Sequence, residues 1–187
     1  MIEDQPEQPR VALLLLDLQA SLIQAIPNGD EVLQRCAFAA QAARLLDIPV
    51  LATEQVPDKL GPTVPEVLEH VDQGCVFAKT AFSAFGAEGL EDKLEDLGVE
   101  VLLLAGLETT ICVYQTVMDA LRREIDVTLF TDCVSARRAQ DARDVLDLLS
   151  RIEGISLLPS EAVFYSLLHS SEHPQFRAFT KLVKSLH

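Results

Sequence analysis

Six short, almost continuously apolar runs alternate with helical patterns along this chain, at residues 11–16, 49–52, 75–78, 101–104, 127–130 and 155–158. Strands buried on both faces lose the polar–apolar alternation of half-exposed strands. Their alternation with helices is typical of a parallel sheet covered on both sides. We therefore predict one α/β domain over residues 10–187, a doubly wound, six-stranded and mostly parallel sheet with helices on both faces.

Apolar residues at helical spacing predict the helices that cover this sheet, over residues 31–46, 88–97, 110–124, 139–152, 161–169 and 174–186. Residues 53–67 contain three prolines and one glycine, which favours a loop. Residues 1–9 are acidic and contain proline, and they lack the basic start and apolar stretch of a secretory signal. We expect them to form a flexible tail.

Charge and composition exclude several kinds of protein. The chain has 29 acidic and 15 basic residues, a net charge of −14, which disfavours binding to nucleic acid. Its apolar runs are far shorter than the roughly 18 residues of a membrane span. The four cysteines lack CxxC spacing, so we expect reduced thiols and a cytoplasmic location. The four histidines lack the paired spacing of a zinc site, and we expect no metal or cofactor.

Residues 101–118 read as a buried strand that passes into a helix. Thr109 or Thr110 can cap this helix, which places Cys112 in its first turn. Unpaired amides at a helix start favour a thiolate, lower a thiol's pKa and stabilise an oxyanion. The alternative is that Cys112 is a small, buried and inert core residue.

Three residues with chemical capacity follow predicted strands: Asp17, Lys79 and Cys112. In doubly wound sheets, ligands bind beyond the carboxyl ends of the strands, where strand order reverses. Together the three residues supply a base, a cation and a nucleophile. Alternatively, Asp17 forms a turn or caps a helix, and Lys79 is solvated. If the strand of Lys79 is two places from that of Asp17, the loop after it must fold back.

Three segments carry a resemblance to a known family: LLLLDLQ at 13–19, FAKTAFSAF at 77–85 and AGLETTICVYQT at 105–116. The chain resembles the isochorismatase-like cysteine hydrolases, which include nicotinamidases and N-carbamoyl amidohydrolases, over about residues 11–158. The resemblance implies strand order 3-2-1-4-5-6 and a homo-oligomer between a dimer and an octamer. It also implies a triad at Asp17, Lys79 and Cys112.

The same resemblance implies a cis peptide bond between Leu107 and Glu108. It further implies an oxyanion hole made by the backbone N–H groups of Glu108 and Cys112. Nicotinamidases carry an Asp-x-His metal pattern after the second strand, where this chain has Thr53, Glu54 and Gln55. The lack of this pattern favours a site without a metal. The loop TEQVPDKLGPTVPE at residues 53–66 most resembles a branch of the superfamily whose substrates are largely unassigned.

The expected activity is hydrolysis of a small amide or related carbonyl compound through a Cys112 thioester. Asp17 would act as general base and acid, and Lys79 as electrostatic support. The alternatives are a catalytically degenerate binding or regulatory protein, a hydrolase of a non-amide small molecule, and a redox sensor that uses Cys112, with Cys133 as a possible second thiol.

Seven further residues are candidates for contact with a small-molecule substrate because they lie in or beside these segments and strand ends. Each has an ordinary structural alternative, such as a core position for Phe85, a turn or cap for Ser83, and a hydrogen bond to loop backbone for Gln19. The candidates are Gln19, Thr53, Glu54, Gln55, Ser83, Phe85 and Tyr114.

Overall fold

The fold is built on a sheet of six strands. The structure is a computed structural model, and it describes residues 9–186. All neighbouring strands pair in parallel, in the order β3-β2-β1-β4-β5-β6. The predicted fold class and strand order are confirmed. The predicted tail lies, apart from Pro9, outside the described residues. The strands are β1 Val11–Leu16, β2 Val50–Gln55, β3 Val76–Lys79, β4 Val101–Leu107, β5 Asp126–Ser135 and β6 Ile155–Leu158.

The helices agree with the predicted ones in the outer layers and differ near the strand ends. Helix α1 was not predicted, and the expected loop at 53–67 contains two single-turn helices, each with a proline at its start, where a missing N–H is tolerated. No helix in residues 9–186 has the length and apolar character needed to span a membrane. The helices are α1 Ala20–Ala25, α2 Gly29–Leu45, α3 Pro57–Leu60, α4 Pro65–Leu68, α5 Leu90–Asp96, α6 Tyr114–Leu121, α7 Ala139–Leu149, α8 Ser160–Leu168 and α9 Phe176–Lys184.

Two hydrophobic cores lie on opposite faces of the sheet. Side chains of β1 alternate between them, with Leu13 and Leu15 in one core and Leu14 and Leu16 in the other. Helices α2, α8 and α9 cover the first face, where four phenylalanine rings pack together: Phe38, Phe130, Phe164 and Phe179. Helices α5, α6 and α7 cover the second face. Burial on both sides explains why β1 is apolar throughout.

The parallel register brings the carboxyl ends of the central strands to one level. Leu16, the last residue of β1, pairs with Thr53 of β2 and with Gly106 of β4. Gln55 pairs with Lys79 at the end of β3. The polar residues that follow these strands therefore start from neighbouring points on one edge of the sheet.

The pairing of β4 with β5 is irregular near this edge. Leu104 pairs with Leu129, but Gly106 pairs with Val134. The step from 104 to 106 on β4 is thus matched by the longer step from 129 to 134 on β5. This bulge extends β5 past the regular sheet and delivers Arg137 to the end of β4.

Gly106 permits the close approach of β4 to the end of β1. It has a φ of +118°, and a Cβ atom there would lie 2.2 Å from the carbonyl oxygen of Leu16. We expect Gly106→Ala to lower the free energy of unfolding by about 3 kcal/mol or more, measured by urea denaturation, because backbone strain and a backbone clash add together.

Gly74→Ala is the matched control for this substitution. Gly74 also has a positive φ, +75°, but a Cβ there meets no atom of the described residues within 4 Å. It should cost only the conformational penalty, about 1–2 kcal/mol. Equal losses for the two variants would contradict the steric explanation.

Candidate active site

Cys112 lies in a π-helical turn, Thr109–Val113, that joins β4 to α6. The Val113 N–H donates to the carbonyl oxygen of Glu108 at 3.1 Å, across five residues, and the peptide bond before Glu108 is cis, as the resemblance implied. Cys112 is buried, with only 7 % of its surface exposed. The turn presents the thiol at the carboxyl end of β4, next to the end of β1.

The predicted threonine cap is not formed. Glu108 occupies the capping position of the turn, and it makes no side-chain cap hydrogen bond. Thr109 lies one position after the cap, inside the turn, and its buried hydroxyl has no hydrogen-bond partner among residues 9–186. The wider π-helical turn shifts the start of the helix, which a pattern based on an ordinary helix does not anticipate.

Asp17 ends β1 in a left-handed conformation, with a φ of +54°. Its side chain is fully buried. One carboxylate oxygen accepts a hydrogen bond from the Thr53 hydroxyl at 2.7 Å, and the other accepts one from Lys79 at 2.7 Å. Asp17 therefore holds a fixed, buried carboxylate and neither caps a helix nor faces solvent.

The Lys79 ammonium group is the centre of the polar network. It donates to Asp17, to the Gln55 side-chain oxygen at 2.6 Å, and to the carbonyl oxygens of Ala81 and Phe82 at 3.3 and 3.1 Å. Its Nζ atom lies 3.7 Å from the Cys112 Sγ atom. The loop after β3 does fold back onto the lysine, and the solvated alternative for Lys79 is wrong.

The expected low pKa of the Cys112 thiol is also wrong. Burial, followed by the negative charge of Asp17, raises its pKa to about 12. Lys79 and a backbone hydrogen bond with Glu108 act in the opposite direction but do not offset the rise. The helix-start argument omitted the cost of burying a thiolate beside a carboxylate. At rest the site therefore combines a neutral thiol with an Asp17–Lys79 ion pair.

A cavity of about 230 Å³ opens onto Cys112. Its walls are mainly apolar and come from α1, the end of β4, the π-helical turn and the loop after β3. Polar groups are contributed at the base and at one side. The lining residues are Leu22, Ala25, Ile26, Gln55, Phe82, Leu107, Glu108, Ile111, Cys112 and Arg137.

Four of the predicted substrate-contact residues lie beside the triad, but only Gln55 lines the cavity. Thr53 holds Asp17. Gln19 is fully buried, and its side chain exchanges hydrogen bonds with the Gln55 backbone. This is the bond to loop backbone that was the alternative to substrate contact. The Glu54 carboxylate accepts from the Thr63 N–H at 2.7 Å. These contacts organise the loops under the site.

Ser83, Phe85 and Tyr114 are not among the residues that line the cavity. The Ser83 hydroxyl accepts from the Phe85 N–H at 3.3 Å, which is the turn-forming role considered for it. The Phe85 ring packs against the second core and under the Arg123 guanidinium, 4.5 Å from its centroid. Tyr114 lies in a separate groove on α6. Tyr114 follows Cys112 by two positions in a continuous helical segment, and side chains two positions apart face different directions.

Phe82 and Arg137 are two of the cavity-lining residues that the sequence interpretation missed. Phe82 stands at the rim of the cavity with 53 % of its surface exposed. Arg137 comes from beyond β5, and its guanidinium pairs with Glu108. The predicted strand stopped at residue 130, before the bulge, so nothing in the pattern placed Arg137 near Cys112. Phe82 lies inside the FAKTAFSAF segment and was available as a candidate.

Within residues 9–186, no three or more His, Cys, Asp or Glu side chains are grouped so that they could hold a metal ion. The groups beside Cys112 are instead the Lys79 ammonium and the Asp17 carboxylate, which are held by the Gln55 amide and the Thr53 hydroxyl. Such a set suits proton transfer and electrostatic support of a nucleophile.

Comparisons with known proteins concern the family and the fold of the chain. The isochorismatase domain model matches residues 11–155. The chain is 36% identical to mouse isochorismatase domain-containing protein 2A over 174 residues, 92% of this chain and 82% of the relative. The solved structure of MAR1 ribonuclease from Caenorhabditis elegans superposes with a TM-score of 0.87, at 34% identity, covering 94% of this chain and 90% of that one.

A third comparison extends the fold to a more distant protein. The YcaC gene product of Escherichia coli, described as an octameric hydrolase of unknown specificity, superposes with a TM-score of 0.80. It is 21% identical and covers 95% of each chain. At this identity the likeness concerns the fold.

The buried ion pair gives a stability prediction. Lys79→Met leaves the Asp17 carboxylate buried without its cation, so we expect a loss of about 3–5 kcal/mol in the free energy of unfolding. The exposed Arg151–Asp147 pair is the control, and Arg151→Met should cost less than about 1 kcal/mol. Adding Asp17→Asn to Lys79→Met should restore much of the loss. Equal losses in the buried and exposed pairs would contradict this account.

The causes of the raised Cys112 pKa predict the direction in which two substitutions will change it. Since the Asp17 charge raises this pKa, Asp17→Asn should lower it, and Lys79→Met should raise it further. We would compare the iodoacetamide labelling rate of Cys112 at one mildly alkaline pH by peptide mass spectrometry. Because the thiolate fraction sets this rate, it should rise in the first variant and fall in the second. Movement in the same direction would exclude this electrostatic origin.

Proposed function

The chain belongs to the isochorismatase family, a family of hydrolase fold, and we propose that it is a metal-independent cysteine hydrolase of a small amide or related carbonyl compound. The observation that carries this proposal is the position of the Lys79 Nζ atom, 2.7 Å from Asp17 and 3.7 Å from the Cys112 sulfur. All three groups are buried beneath a cavity that opens at Cys112. The family and its fold support a hydrolase; the amide substrate and the mechanism are our inference.

In the first half of the proposed reaction, Asp17 accepts the proton of the Cys112 thiol. The sulfur attacks the substrate carbonyl carbon, a C–S bond forms, and the carbonyl oxygen becomes an oxyanion. When the C–N bond breaks, Asp17 returns the proton to the leaving nitrogen, and the enzyme is left as a thioester. The high pKa of Cys112 makes a nearby carboxylate base necessary, because very little free thiolate exists at neutral pH.

In the second half, water hydrolyses the thioester. Asp17 takes a proton from the water, whose oxygen attacks the thioester carbon, and the C–S bond breaks to release the acid. The departing sulfur recovers a proton from Asp17. Throughout, Lys79 balances the charge of Asp17 and lies close enough to the sulfur to stabilise its negative charge in the transition state.

The backbone N–H groups of Glu108 and Cys112 are proposed to hold the oxyanion. The cis bond before Glu108 and the π-helical turn that carries Cys112 set the direction of the two peptide units. A backbone hydrogen bond with Glu108 already acts on the Cys112 thiol, which supports a donor role beside the reacting sulfur.

The alternatives have less support. In a degenerate binding protein, the buried Asp17–Lys79 pair would be retained without a chemical task. A redox partnership of Cys112 with Cys133 is disfavoured by position, because Cys133 is fully buried against α2, where the Cys36 thiol donates to its carbonyl oxygen at 3.3 Å. Ribonuclease activity, suggested by the name of the nematode relative, fits poorly with a net charge of −14.

Assembly and location are proposed on more general grounds. The octamer described for the Escherichia coli YcaC gene product supports a homo-oligomer for this chain. All four cysteines are free, which is consistent with a reducing compartment such as the cytoplasm.

The covalent step is tested with matched cysteine variants. We expect Cys112→Ala to abolish ammonia release from amides, with an unchanged circular dichroism spectrum. Cys75→Ala, which removes another buried thiol away from the cavity, should keep the activity. Rapid quenching with substrate should give an acyl adduct on the Cys112 peptide by mass spectrometry. Full activity of Cys112→Ala would refute the thioester intermediate.

A further inference from the structure

The charges around the cavity indicate what kind of substrate it accepts. We propose that Glu108 and Arg137 form a charge-neutralising pair that makes the site selective for uncharged small amides over those that carry a carboxylate. This rests on the proposed function, because it assumes that the cavity over Cys112 binds the substrate. It goes further by assigning a substrate class and naming the residues that select it.

Glu108 and Arg137 are the charged residues among those described as lining the cavity. The Arg137 Nε atom lies 3.1 and 3.2 Å from the two carboxylate oxygens of Glu108, and the Arg137 backbone N–H donates to the same carboxylate at 3.1 Å. The Glu108 side chain is only 18 % exposed, against 60 % for Arg137. The Nε–H and the backbone N–H of Arg137 are thus held by a more deeply buried carboxylate, whose charge offsets the attraction of the guanidinium for a substrate carboxylate.

The charges of Asp17 and Lys79, which adjoin the cavity at Cys112 without lining it, are compensated in the same way. Asp17 and Lys79 form a buried ion pair, and the Cys112 thiol is neutral at rest. The Gln55 amide is also engaged, since its oxygen accepts from Lys79 and its nitrogen donates to the Thr80 carbonyl. No group of this set is left to neutralise an ionised substrate.

The remaining walls strengthen this selection. Leu22, Ile26 and Ile111 are among the apolar side chains that surround the space, and Phe82 stands at its rim. An ion that enters a largely apolar cavity loses water without gaining a partner, whereas an amide loses much less. A net charge of −14 adds a long-range repulsion of anions. A volume of about 230 Å³ limits the substrate to a small molecule.

Two reagents of almost the same size and reactivity test this inference without a known substrate. Iodoacetamide is an uncharged amide, and iodoacetate carries a carboxylate. We would measure the alkylation rate of Cys112 with each by peptide mass spectrometry and take the ratio of the two rates. Any effect on thiolate formation cancels in this ratio. The same ratio in the urea-unfolded protein is the reference.

We expect the iodoacetamide-to-iodoacetate ratio at Cys112 to exceed the unfolded reference by about tenfold or more. Glu108→Gln frees Arg137 to bind a carboxylate, so the ratio should fall. Arg137→Gln leaves the Glu108 charge facing the cavity, so the ratio should rise. Arg138→Gln is the matched control, because it makes the same change in net charge at a neighbouring exposed arginine that does not line the cavity.

A wild-type ratio equal to the unfolded reference would overturn the inference. So would Glu108→Gln and Arg137→Gln shifts in the same direction, or a shift in Arg138→Gln as large as that in Arg137→Gln. If neither reagent modifies Cys112 in the folded protein, the proposed nucleophile fails. Titration of the Cys112→Ala variant by ligand-observed NMR then decides the selectivity separately: binding of isobutyramide without succinamate supports it, and any other result overturns it.

Discussion

The site depends on one buried interaction, the ion pair between Lys79 and Asp17. Such a pair contributes little net stability, because the cost of removing two charges from water nearly offsets their attraction. Its structural effect is to join distant parts of the sheet edge. Lys79 ends β3, two strands away from β1, and still reaches the carboxylate at the end of β1 and the thiol beyond β4. The same ammonium draws the carbonyl groups of residues 81 and 82 inward.

Much of the architecture could be predicted from the sequence, because burial on both sheet faces leaves a strong signal. The runs at Val11–Leu16 and Ile155–Leu158 coincide with the observed β1 and β6. Parallel register then places the residues after β1, β3 and β4 on one edge, so three polar residues at strand ends were sufficient to suggest a site. The family resemblance added the strand order and the cis peptide bond, which the apolar pattern does not contain.

The electrostatics of the site could not be predicted in the same way. The pKa of the Cys112 thiol was expected to fall because of its place at a helix start, yet burial and the Asp17 charge raise it. A sequence pattern gives the neighbours of a residue along the chain but neither its depth nor the charges that face it. Arg137 shows the same limit, since its contact with Glu108 joins residues separated by the whole of α6 and β5. Helix α1, which lines the cavity, is only six residues long and too short for a clear periodic signal.

Two parts of the site differ in how well they tolerate changes of sequence, and the bulge in β5 lies between them. Asp17 and Lys79 lie at regular strand ends, so an insertion or deletion near them would break the sheet register, and Lys79 also contacts Cys112 in the π-helical turn. Arg137 instead arrives through the irregular step between residues 129 and 134, where the ladder already departs from one-to-one pairing. Bulges tolerate such local rearrangement while the buried part of the strand stays in place. The position that meets Glu108 can therefore change in this fold while Asp17, Lys79 and Cys112 keep their places.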